Sequence, residues 1–308
     1  MYIQEQQLTI INKEAGLYMV VDLKGACRKT ELCKVLERKA VLCRLNVCRM
    51  LKAGGHGHIG GAFSAMDIVT ALYFYQMNLR PEEPQWRDRD RFLLSAGHKC
   101  LAQYAALAER GFFSKDVLDT YGAMHSVLPG HPSMHKLPGV EANTGALGHG
   151  LSIATGMAWG LRLEGSPARV YVIMGDGELA EGSNWEATVA AAHHKTDNLT
   201  AFIDYNGLQI SGRVEDVMDF APIADKFKAF GWAVKEIDGN NMVEIVEVLE
   251  TLPFVVGKPS LIIAHTVKSK GFAEAEGKAS YHYWNPSAED CARLEAELKA
   301  ELARKAGA

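Results

Sequence analysis

The sequence predicts a single α/β domain in which a mainly parallel sheet is covered by helices on both faces. Four short apolar runs, separated by helix-length segments, carry this prediction; they are residues 170–174, 199–203, 233–237 and 261–264. Strands that are apolar on both sides and alternate with helices are typical of a parallel sheet that is buried on both faces. The prediction is therefore a doubly wound fold.

The chain enters this domain through an N-terminal arm. Residues 1–28 have no sustained period and are interpreted as an arm or irregular lead-in, which leaves residues 29–308 as the single domain. From Thr30 onward, apolar residues recur at spacings of three and four, which predicts a long first helix. Five of the eight residues in the segment 54–61 are glycine, a density that predicts a loop at the end of this helix.

The remaining elements follow in order along the chain. A second helix is expected near residues 64–75 and a short buried strand over 91–95. Residues 120–150 are punctuated by proline and glycine, and irregular segments of this length inside a domain are usually functional. Further helices are expected near 151–163, 183–195, 221–230 and 241–252. The last helix is expected to begin at a cap formed by Ser287 and Asp290.

Composition excludes several classes of partner. Among the 308 residues, 33 Lys and Arg face 37 Asp and Glu without long blocks of one sign. This balance argues against a nucleic acid or an anionic membrane surface as the main partner. No run approaches the roughly 20 apolar residues that span a bilayer, and the N-terminus lacks a signal pattern. Six cysteines without a C-x-x-C pair predict reduced thiols, and the expected location is the cytoplasm.

Polar residues with metal-binding chemistry follow two of the predicted strands. Asp176 lies between two glycines directly after the run 170–174, and Asn206 follows the run 199–203. Ligands of parallel sheets bind beyond the carboxyl ends of the strands, and oxygen donors there suit Mg²⁺ or Ca²⁺ carrying a ligand's phosphates. The alternative interpretation is two ordinary glycine-containing turns.

Histidines form the second chemical signal. Seven of the eleven lie between His56 and His149, and most of these occupy loops rich in glycine and proline. His58, His98 and His131 all have a glycine directly before them. Such a set predicts a polar cleft that binds anions and moves protons near neutral pH. The alternative is that each is a structural histidine with satisfied hydrogen bonds.

Six motifs along the chain, in this order, resemble those of transketolases. Residues 57–61 read Gly-His-Ile-Gly-Gly and resemble the family's G-H-P-G-G element. The other five are Ser-Ala-Gly-His at 95–98, Pro-Gly-His-Pro at 129–132, Leu-Pro-Gly-Val-Glu at 137–141, Thr-Gly-Ala-Leu-Gly at 144–148 and Gly-Asp-Gly at 175–177. The last of these, together with Asn206, resembles the thiamine diphosphate (ThDP) motif. The resemblance covers roughly residues 30–285.

The resemblance implies the thiamine-diphosphate-binding fold, with ThDP as the cofactor and Mg²⁺ as its metal, for which Ca²⁺ or Mn²⁺ are expected substitutes. It implies that Asp176, Asn206 and the backbone carbonyl of Leu208 bind the metal. The cofactor contacts that it implies are His98, Gly145, Leu147, Gly177, Glu181, Asn206, Ile210 and His282. It also implies that the catalytic histidines facing the sugar are His58, His131 and His282. Glu181 resembles a glutamate that links two active sites across an interface.

The chain departs from the family's pattern in three places. Tyr205 precedes Asn206 where a second Asn is common, and His149 stands where a Gln is usual. The segment 280–286, Ser-Tyr-His-Tyr-Trp-Asn-Pro, replaces a W-H-G element, and His282 is aligned with its histidine. The bulky Tyr283 and Trp284 are expected to reshape that side of the cleft. The donor therefore stays open between a common sugar phosphate and a sulfo- or branched-chain ketose.

In full-length transketolases a pyrimidine-binding domain and a C-terminal domain follow, and the pyrimidine-binding domain supplies the glutamate that activates the cofactor. The resemblance thus implies the N-terminal subunit of a split transketolase, a transferase completed by a C-terminal subunit in a heterotetramer. Such an enzyme moves a two-carbon ketol unit from a ketose to an aldose. Two alternatives are a subunit of another ThDP lyase or dehydrogenase and a non-catalytic cofactor-binding subunit. The loops around His58 and His131 argue against the first, and the pairing of Asp176 with Asn206 argues against the second.

Overall fold

The computed structural model describes residues 8–12, 17–21 and 26–306, and of residues 8–12, 17–21 and 26–28 the backbone only. The strands are β1 Leu8–Asn12, β2 Leu17–Val21, β3 Arg91–Leu94, β4 Val170–Gly175, β5 Leu199–Tyr205, β6 Ala233–Asp238 and β7 Ser260–His265. The helices are α1 Ala26–Gly54, α2 Ile59–Ser64, α3 Met66–Ala71, α4 Cys100–Arg110, α5 His149–Leu163, α6 Gly182–His193, α7 Val214–Val217, α8 Ile223–Ala229, α9 Met242–Glu250 and α10 Ala288–Ala306.

The main sheet has five parallel strands in the order β3-β4-β5-β7-β6. This confirms the predicted parallel α/β architecture. Gly175 at the end of β4 is paired with Asp204 of β5, and Tyr205 is paired with His265 of β7. The carboxyl ends of these three strands therefore lie side by side at one edge of the sheet, where the connecting loops meet.

Both faces of the sheet are covered by helices, so the fold is doubly wound. Alternate residues of one strand point to opposite faces. In β4, Tyr171 and Ile173 belong to a core that also includes α1, α2, α3, α4, α9 and α10. Val172 and Met174 belong to a second core shared with α5, α6 and α8. Five described cysteines, Cys33, Cys43, Cys48, Cys100 and Cys291, are free and buried.

The N-terminal region contains two strands that the sequence pattern did not predict. β1 and β2 form a separate antiparallel hairpin, and α1 begins at Ala26, four residues before Thr30. Two strands of five residues are too short to give a clear period in the sequence, which is why the pattern did not indicate them. The rest of residues 1–25 lies outside the described part of the chain, and the domain boundary between 28 and 29 stays a prediction.

The glycine-rich loop is shorter than predicted. α2 begins at Ile59, so that Gly60 and Gly61 lie within a helix. A Cβ atom on Gly60 would lie 2.7 Å from the carbonyl oxygen of Tyr281, and one on Gly61 would lie 2.8 Å from Cε of Lys99. Tight packing at these two positions requires glycine, and it outweighs the low helix propensity of that residue.

A buried ion pair fixes the helices that carry this loop. Arg44 of α1 donates two hydrogen bonds to the carboxylate of Asp67, at 2.9 and 2.8 Å. Asn240 donates to the same carboxylate at 2.8 Å and accepts from the backbone N–H of Val267 at 2.8 Å. The network thereby ties α1 and α3 to the loop that follows β7.

No helix in the described part of the chain is long and apolar enough to cross a membrane.

We expect Gly150→Ala to lower the free energy of unfolding by about 1–3 kcal/mol, because a new methyl group must be forced into a packed contact. A Cβ atom on Gly150 would lie 2.3 Å from both side-chain atoms of Ser95, whereas one on Gly156 of the same helix would meet nothing within 4 Å. Gly156→Ala should therefore raise the stability by up to about 1 kcal/mol. Urea unfolding of both variants checks this, and equal effects would contradict the packing argument.

Candidate active site

A cavity of about 340 Å³ opens at the carboxyl edge of the sheet, where the loops after β3, β4, β5 and β7 meet α2. Ten predicted site residues line it: His58, His98, Gly145, Leu147, Asp176, Gly177, Asn206, Leu208, Ile210 and His282. Loops separated by more than 200 residues in the chain thus converge on one space. Cavities of this size that combine apolar walls with a few directed polar groups are the usual form of small-molecule sites.

The side chain of Asp176 bridges the ends of β4 and β5. One carboxylate oxygen accepts a hydrogen bond from the N–H of Gly177 and the other from the N–H of Gly207, each at 2.7 Å. Burial raises the pKa of Asp176, whereas the nearby charge of Lys99 and the two N–H donors act in the opposite direction. The loop after β5 adds Asn206, whose Oδ1 accepts from the N–H of Leu208 at 3.1 Å. The predicted meeting of Asp176 and Asn206 at adjacent strand ends is confirmed.

The backbone carbonyl of Leu208 already has a cationic partner. Lys268, from the loop after β7, donates from Nζ to this oxygen at 3.0 Å, and its Nζ lies 3.2 Å from Nδ1 of His282. Burial lowers the pKa of Lys268 to about 8. A carbonyl oxygen has two lone pairs, so it can accept from Lys268 and still bind a cation. Sequence reasoning missed Lys268.

The donor set in the cavity suits a hard cation that carries further ligands with it. Asp176, Asn206 and Leu208 would offer a carboxylate, an amide oxygen and a carbonyl. Within the described residues, no group of three or more His, Cys, Asp and Glu could hold a metal ion. Mg²⁺ is commonly bound by one or two carboxylates together with phosphate oxygens and water, so the residues present fit a metal–phosphate complex.

Three histidines form a triangle over the cavity. The ring centroids of His58 and His98 are 5.1 Å apart, those of His98 and His282 are 5.1 Å apart, and those of His58 and His282 are 5.4 Å apart. Burial, with the charge of Lys268 as a smaller cause, lowers the pKa of His58 to about 4, of His98 to about 2 and of His282 to about 3. The imidazoles are therefore neutral near pH 7, and each has one donor and one acceptor nitrogen.

Two predicted site residues lie outside the lining. His131 is exposed and packs against Gly145, where an added Cβ would lie 2.7 Å from the His131 ring. Gly145 has a φ of +131°, so both its conformation and this contact require glycine. Glu181 is also exposed and precedes α6, and its Cβ would lie 2.4 Å from one added to Gly148. The structure places both residues beside loops of the site rather than in its wall.

Sequence reasoning also missed a buried ion pair beneath the cavity. Nζ of Lys99 lies 2.6 Å from Oδ2 of Asp204, and both side chains are almost entirely buried. Asp204 also accepts hydrogen bonds from the hydroxyls of Ser64 and Thr266. A lysine directly after a glycine-histidine turn and an aspartate inside an apolar strand were the available signals. The ion pair could not be predicted from either signal alone, because the two residues lie about 100 positions apart in the chain.

The third feature that was missed is the role of Glu178, which directly follows the Gly-Asp-Gly motif. Its Oε1 accepts from the Ser95 hydroxyl and from the N–H of Gly148 at 2.8 Å. Its Oε2 accepts from the N–H of Gly175 at 3.0 Å. Burial raises the pKa of Glu178, and these donors oppose the shift. One carboxylate therefore joins the loops after β3 and β4 to the start of α5.

The unusual segment 280–286 closes one side of the cavity. Gly57 and Trp284 exchange two backbone hydrogen bonds of 2.9 Å, which dock the segment on the glycine-rich loop. Between these anchors, the Tyr283 ring meets His58 edge-on at 4.7 Å between centroids and stacks on His56 at 6.0 Å. The structure thus places His282 in the cavity wall and the edge of an aromatic ring against His58.

The lowered pKa values predict that acid destabilises the protein through these histidines. An unfolded histidine titrates near pH 6.5, so below that pH the unfolded chain binds more protons than the folded chain. The contribution of His58 to the free energy of unfolding is therefore fully present above about pH 6.5. It is lost as the pH falls towards about 4, the pKa of His58 in the folded protein.

Urea unfolding at pH 7.5 and at pH 5 measures this effect. The difference in the free energy of unfolding between the two pH values should be smaller for His58→Gln than for the wild type. It should be unchanged for His193→Gln, because that histidine is exposed at the end of α6 and does not line the cavity. An unchanged pH dependence in His58→Gln would contradict the assignment.

Comparisons with known proteins show the family of this chain. The family model for the thiamine diphosphate binding domain of transketolase matches residues 37–305. An apulose-4-phosphate transketolase subunit of Phocaeicola vulgatus is 43% identical over 256 residues, which cover 83% of this chain and 91% of that protein. The 6-deoxy-6-sulfo-D-fructose transketolase subunit SqwG of a Clostridium species is 42% identical over 247 residues, covering 80% and 90%.

Solved transketolases have the same fold. The enzyme from Campylobacter jejuni matches with a TM-score of 0.80 and 31% identity, over 88% of this chain and 45% of that one. The enzyme from Leishmania mexicana matches with a TM-score of 0.79 and 27% identity, over 88% and 45%. This chain thus spans less than half the length of these solved enzymes. The chain belongs to the transketolase family, and residues 37–305 match that family's thiamine diphosphate binding domain.

Proposed function

We propose that this chain is the N-terminal subunit of a two-subunit transketolase, which transfers a two-carbon ketol unit from a ketose to an aldose with ThDP and Mg²⁺. The observation that carries the proposal is one cavity that is lined both by the oxygen ligands of Asp176 and Asn206 and by the neutral His58 and His282. The similarity to single subunits of two other transketolases, over nearly the whole length of those subunits, supports a divided enzyme.

The residues present fit the diphosphate and its metal. Asp176, Asn206 and the carbonyl of Leu208 would hold Mg²⁺. His98 and Lys268 can donate hydrogen bonds to diphosphate oxygens. Within the described residues, Nε2 of Gln209 is buried without a hydrogen-bond partner, and Gln209 lines the same cavity. An unpartnered buried donor is costly, and an anion beside it would relieve that cost.

Two glycine positions leave room for the cofactor. An added Cβ on Gly177 would lie 2.9 Å from Cγ of Gln209, so a side chain at residue 177 would crowd the phosphate end. Gly145 and Leu147 would border the pyrimidine side, with Ile210, which is 74% exposed, at the cavity mouth. When bound, ThDP supplies the carbon nucleophile that carries the two-carbon unit between donor and acceptor.

The histidines would manage the protons of the sugar. A neutral imidazole can donate to a ketose carbonyl from one nitrogen and accept from a hydroxyl at the other. His58 and His282 face the same space from the start of α2 and from the segment 280–286. His131 would approach from the outside, across Gly145. Tyr283 would exclude water from the His58 side of the cavity.

A partner subunit would complete the site. Among the described residues that line the cavity, the carboxylates are those of Asp176 and Glu178, and both accept hydrogen bonds from backbone N–H groups. Neither is available to activate the aminopyrimidine, so we assign that glutamate to a C-terminal transketolase subunit. Glu181 would link two active sites in a heterotetramer, which we place in the cytoplasm.

Asp176→Ala should abolish Mg²⁺-dependent binding of ThDP, because it removes the charged oxygen ligand and releases the N–H groups of Gly177 and Gly207. Isothermal titration calorimetry with and without Mg²⁺ measures the loss. Asp225→Ala serves as the control, since that aspartate is exposed on α8 and does not line the cavity. Unchanged affinity in Asp176→Ala would refute the metal assignment.

The chain alone should show no ketol transfer, and addition of the C-terminal subunit should restore it. Because the two relatives named above act on different ketoses, apulose 4-phosphate, 6-deoxy-6-sulfo-D-fructose and a common pentose phosphate serve as donors in parallel. Release of the shortened aldose, followed by mass spectrometry, is the readout. Turnover by the chain alone would contradict the divided site, whereas the preferred donor would identify the sugar.

A further inference from the structure

We propose that Ser64 is a positioning residue that fixes the side-chain amide of Asn206, and that the buried pair Lys99–Asp204 holds Ser64 in place. The proposal rests on the proposed function, because it takes Asn206 as a Mg²⁺ ligand. Ser64, Lys99 and Asp204 belong to none of the six sequence motifs.

Ser64 stands between the ion pair and the amide. It is fully buried at the end of α2. Its Oγ lies 2.6 Å from Oδ2 of Asp204 and 3.1 Å from the carbonyl oxygen of Gly61. A hydroxyl has one hydrogen, and the charged carboxylate at the shorter distance is the stronger acceptor. The lone pairs of Oγ are then directed to Nδ2 of Asn206, which donates to it at 3.4 Å.

Two contacts specify the same orientation of the amide. On one side, Ser64 has given its hydrogen to Asp204 and needs a donor, which only the NH₂ group of Asn206 can supply. On the other side, the N–H of Leu208 needs an acceptor, which only Oδ1 of Asn206 can be. A flipped amide would lose both hydrogen bonds. The oxygen is therefore held on the side of Leu208, whose carbonyl is the neighbouring candidate ligand.

The ion pair makes this arrangement rigid. Asp204 has no exposed surface, and its carboxylate is shared between Lys99, Ser64 and the hydroxyl of Thr266. The stem of Lys99 fills the space above Gly61, in the helix that ends with Ser64. Packing and hydrogen bonds thus fix both the Ser64 hydroxyl and the Asp204 carboxylate to which it donates. A ligand whose rotamer is already set loses less entropy when the cation arrives, and loss of such outer contacts commonly weakens metal binding about 10–100-fold.

The test compares two hydroxyls that bind the same carboxylate. Ser64 contacts Asn206, whereas the hydroxyl of Thr266 donates to Asp204 and has no contact with Asn206 in the described hydrogen-bond network. Ser64→Ala and Thr266→Val are prepared in the full chain together with its partner subunit. ThDP binding is followed by calorimetry over a series of Mg²⁺ concentrations. We expect Ser64→Ala to raise the half-saturating Mg²⁺ concentration at least about tenfold, and Thr266→Val to change it less than about threefold.

A second background tests whether Ser64 acts through Asn206. In Asn206→Ala, which is weaker in Mg²⁺ binding from the start, the added Ser64→Ala should cause no further loss of Mg²⁺ affinity. An equal further loss would overturn the proposal, since it would mean a general structural effect. Ser64→Cys keeps the volume of the side chain with a poor hydrogen-bonding atom, and should weaken Mg²⁺ binding in the same direction if Ser64→Ala folds poorly.

The outcomes separate this proposal from the proposed function. If ThDP binding to the wild type does not depend on Mg²⁺, the metal assignment fails and this proposal fails with it. If the wild type depends on Mg²⁺ while Ser64→Ala and Thr266→Val behave alike, the positioning role alone is refuted. A shift confined to Ser64→Ala, absent in the Asn206→Ala background, supports it.

Discussion

The buried carboxylate of Glu178 is the contact on which the geometry of the site depends. It accepts from three donors that belong to three separate parts of the chain, Ser95, Gly148 and Gly175. Removing it would leave two backbone N–H groups and a hydroxyl unpaired in a buried place, which is costly for each group. Glu178 joins the end of β4 to the start of the loop after β3 through these hydrogen bonds. It therefore fixes the positions of Asp176 and His98 relative to each other.

Two buried lysines and three uncharged histidines lie close together at the cavity. The ammonium groups of Lys99 and Lys268 are buried and each contacts an oxygen of the protein. Around them, His58, His98 and His282 are kept uncharged by burial. The cations suit a permanently anionic diphosphate, whereas neutral imidazoles suit sugar groups whose protons move during the reaction. The two kinds of group are close neighbours, since Nζ of Lys268 lies 3.2 Å from Nδ1 of His282.

The sequence was sufficient for the parallel fold, because apolar runs alternate with helix-length segments. The edge of the sheet that carries the site and the meeting of Asp176 with Asn206 then follow from the strand ends of such a sheet. The sequence failed where tertiary packing outweighs local propensity, as for the helical Gly60 and Gly61 of α2. It also failed for Lys99 with Asp204, because the pairing of distant charges cannot be seen in a local pattern. His131 and Glu181 lie beside the wall rather than in it, a distinction that only three-dimensional geometry can make.

Two backbone hydrogen bonds attach the segment 280–286 to the glycine-rich loop. Gly57 and Trp284 are joined through backbone atoms, so the anchor does not depend on which side chain occupies position 283. Tyr283 is 45% exposed and belongs to neither hydrophobic core. A substitution there changes the wall beside His58 with little cost to folding. A different side chain at position 283 would therefore reshape the space beside His58 without disturbing the backbone anchor at Gly57.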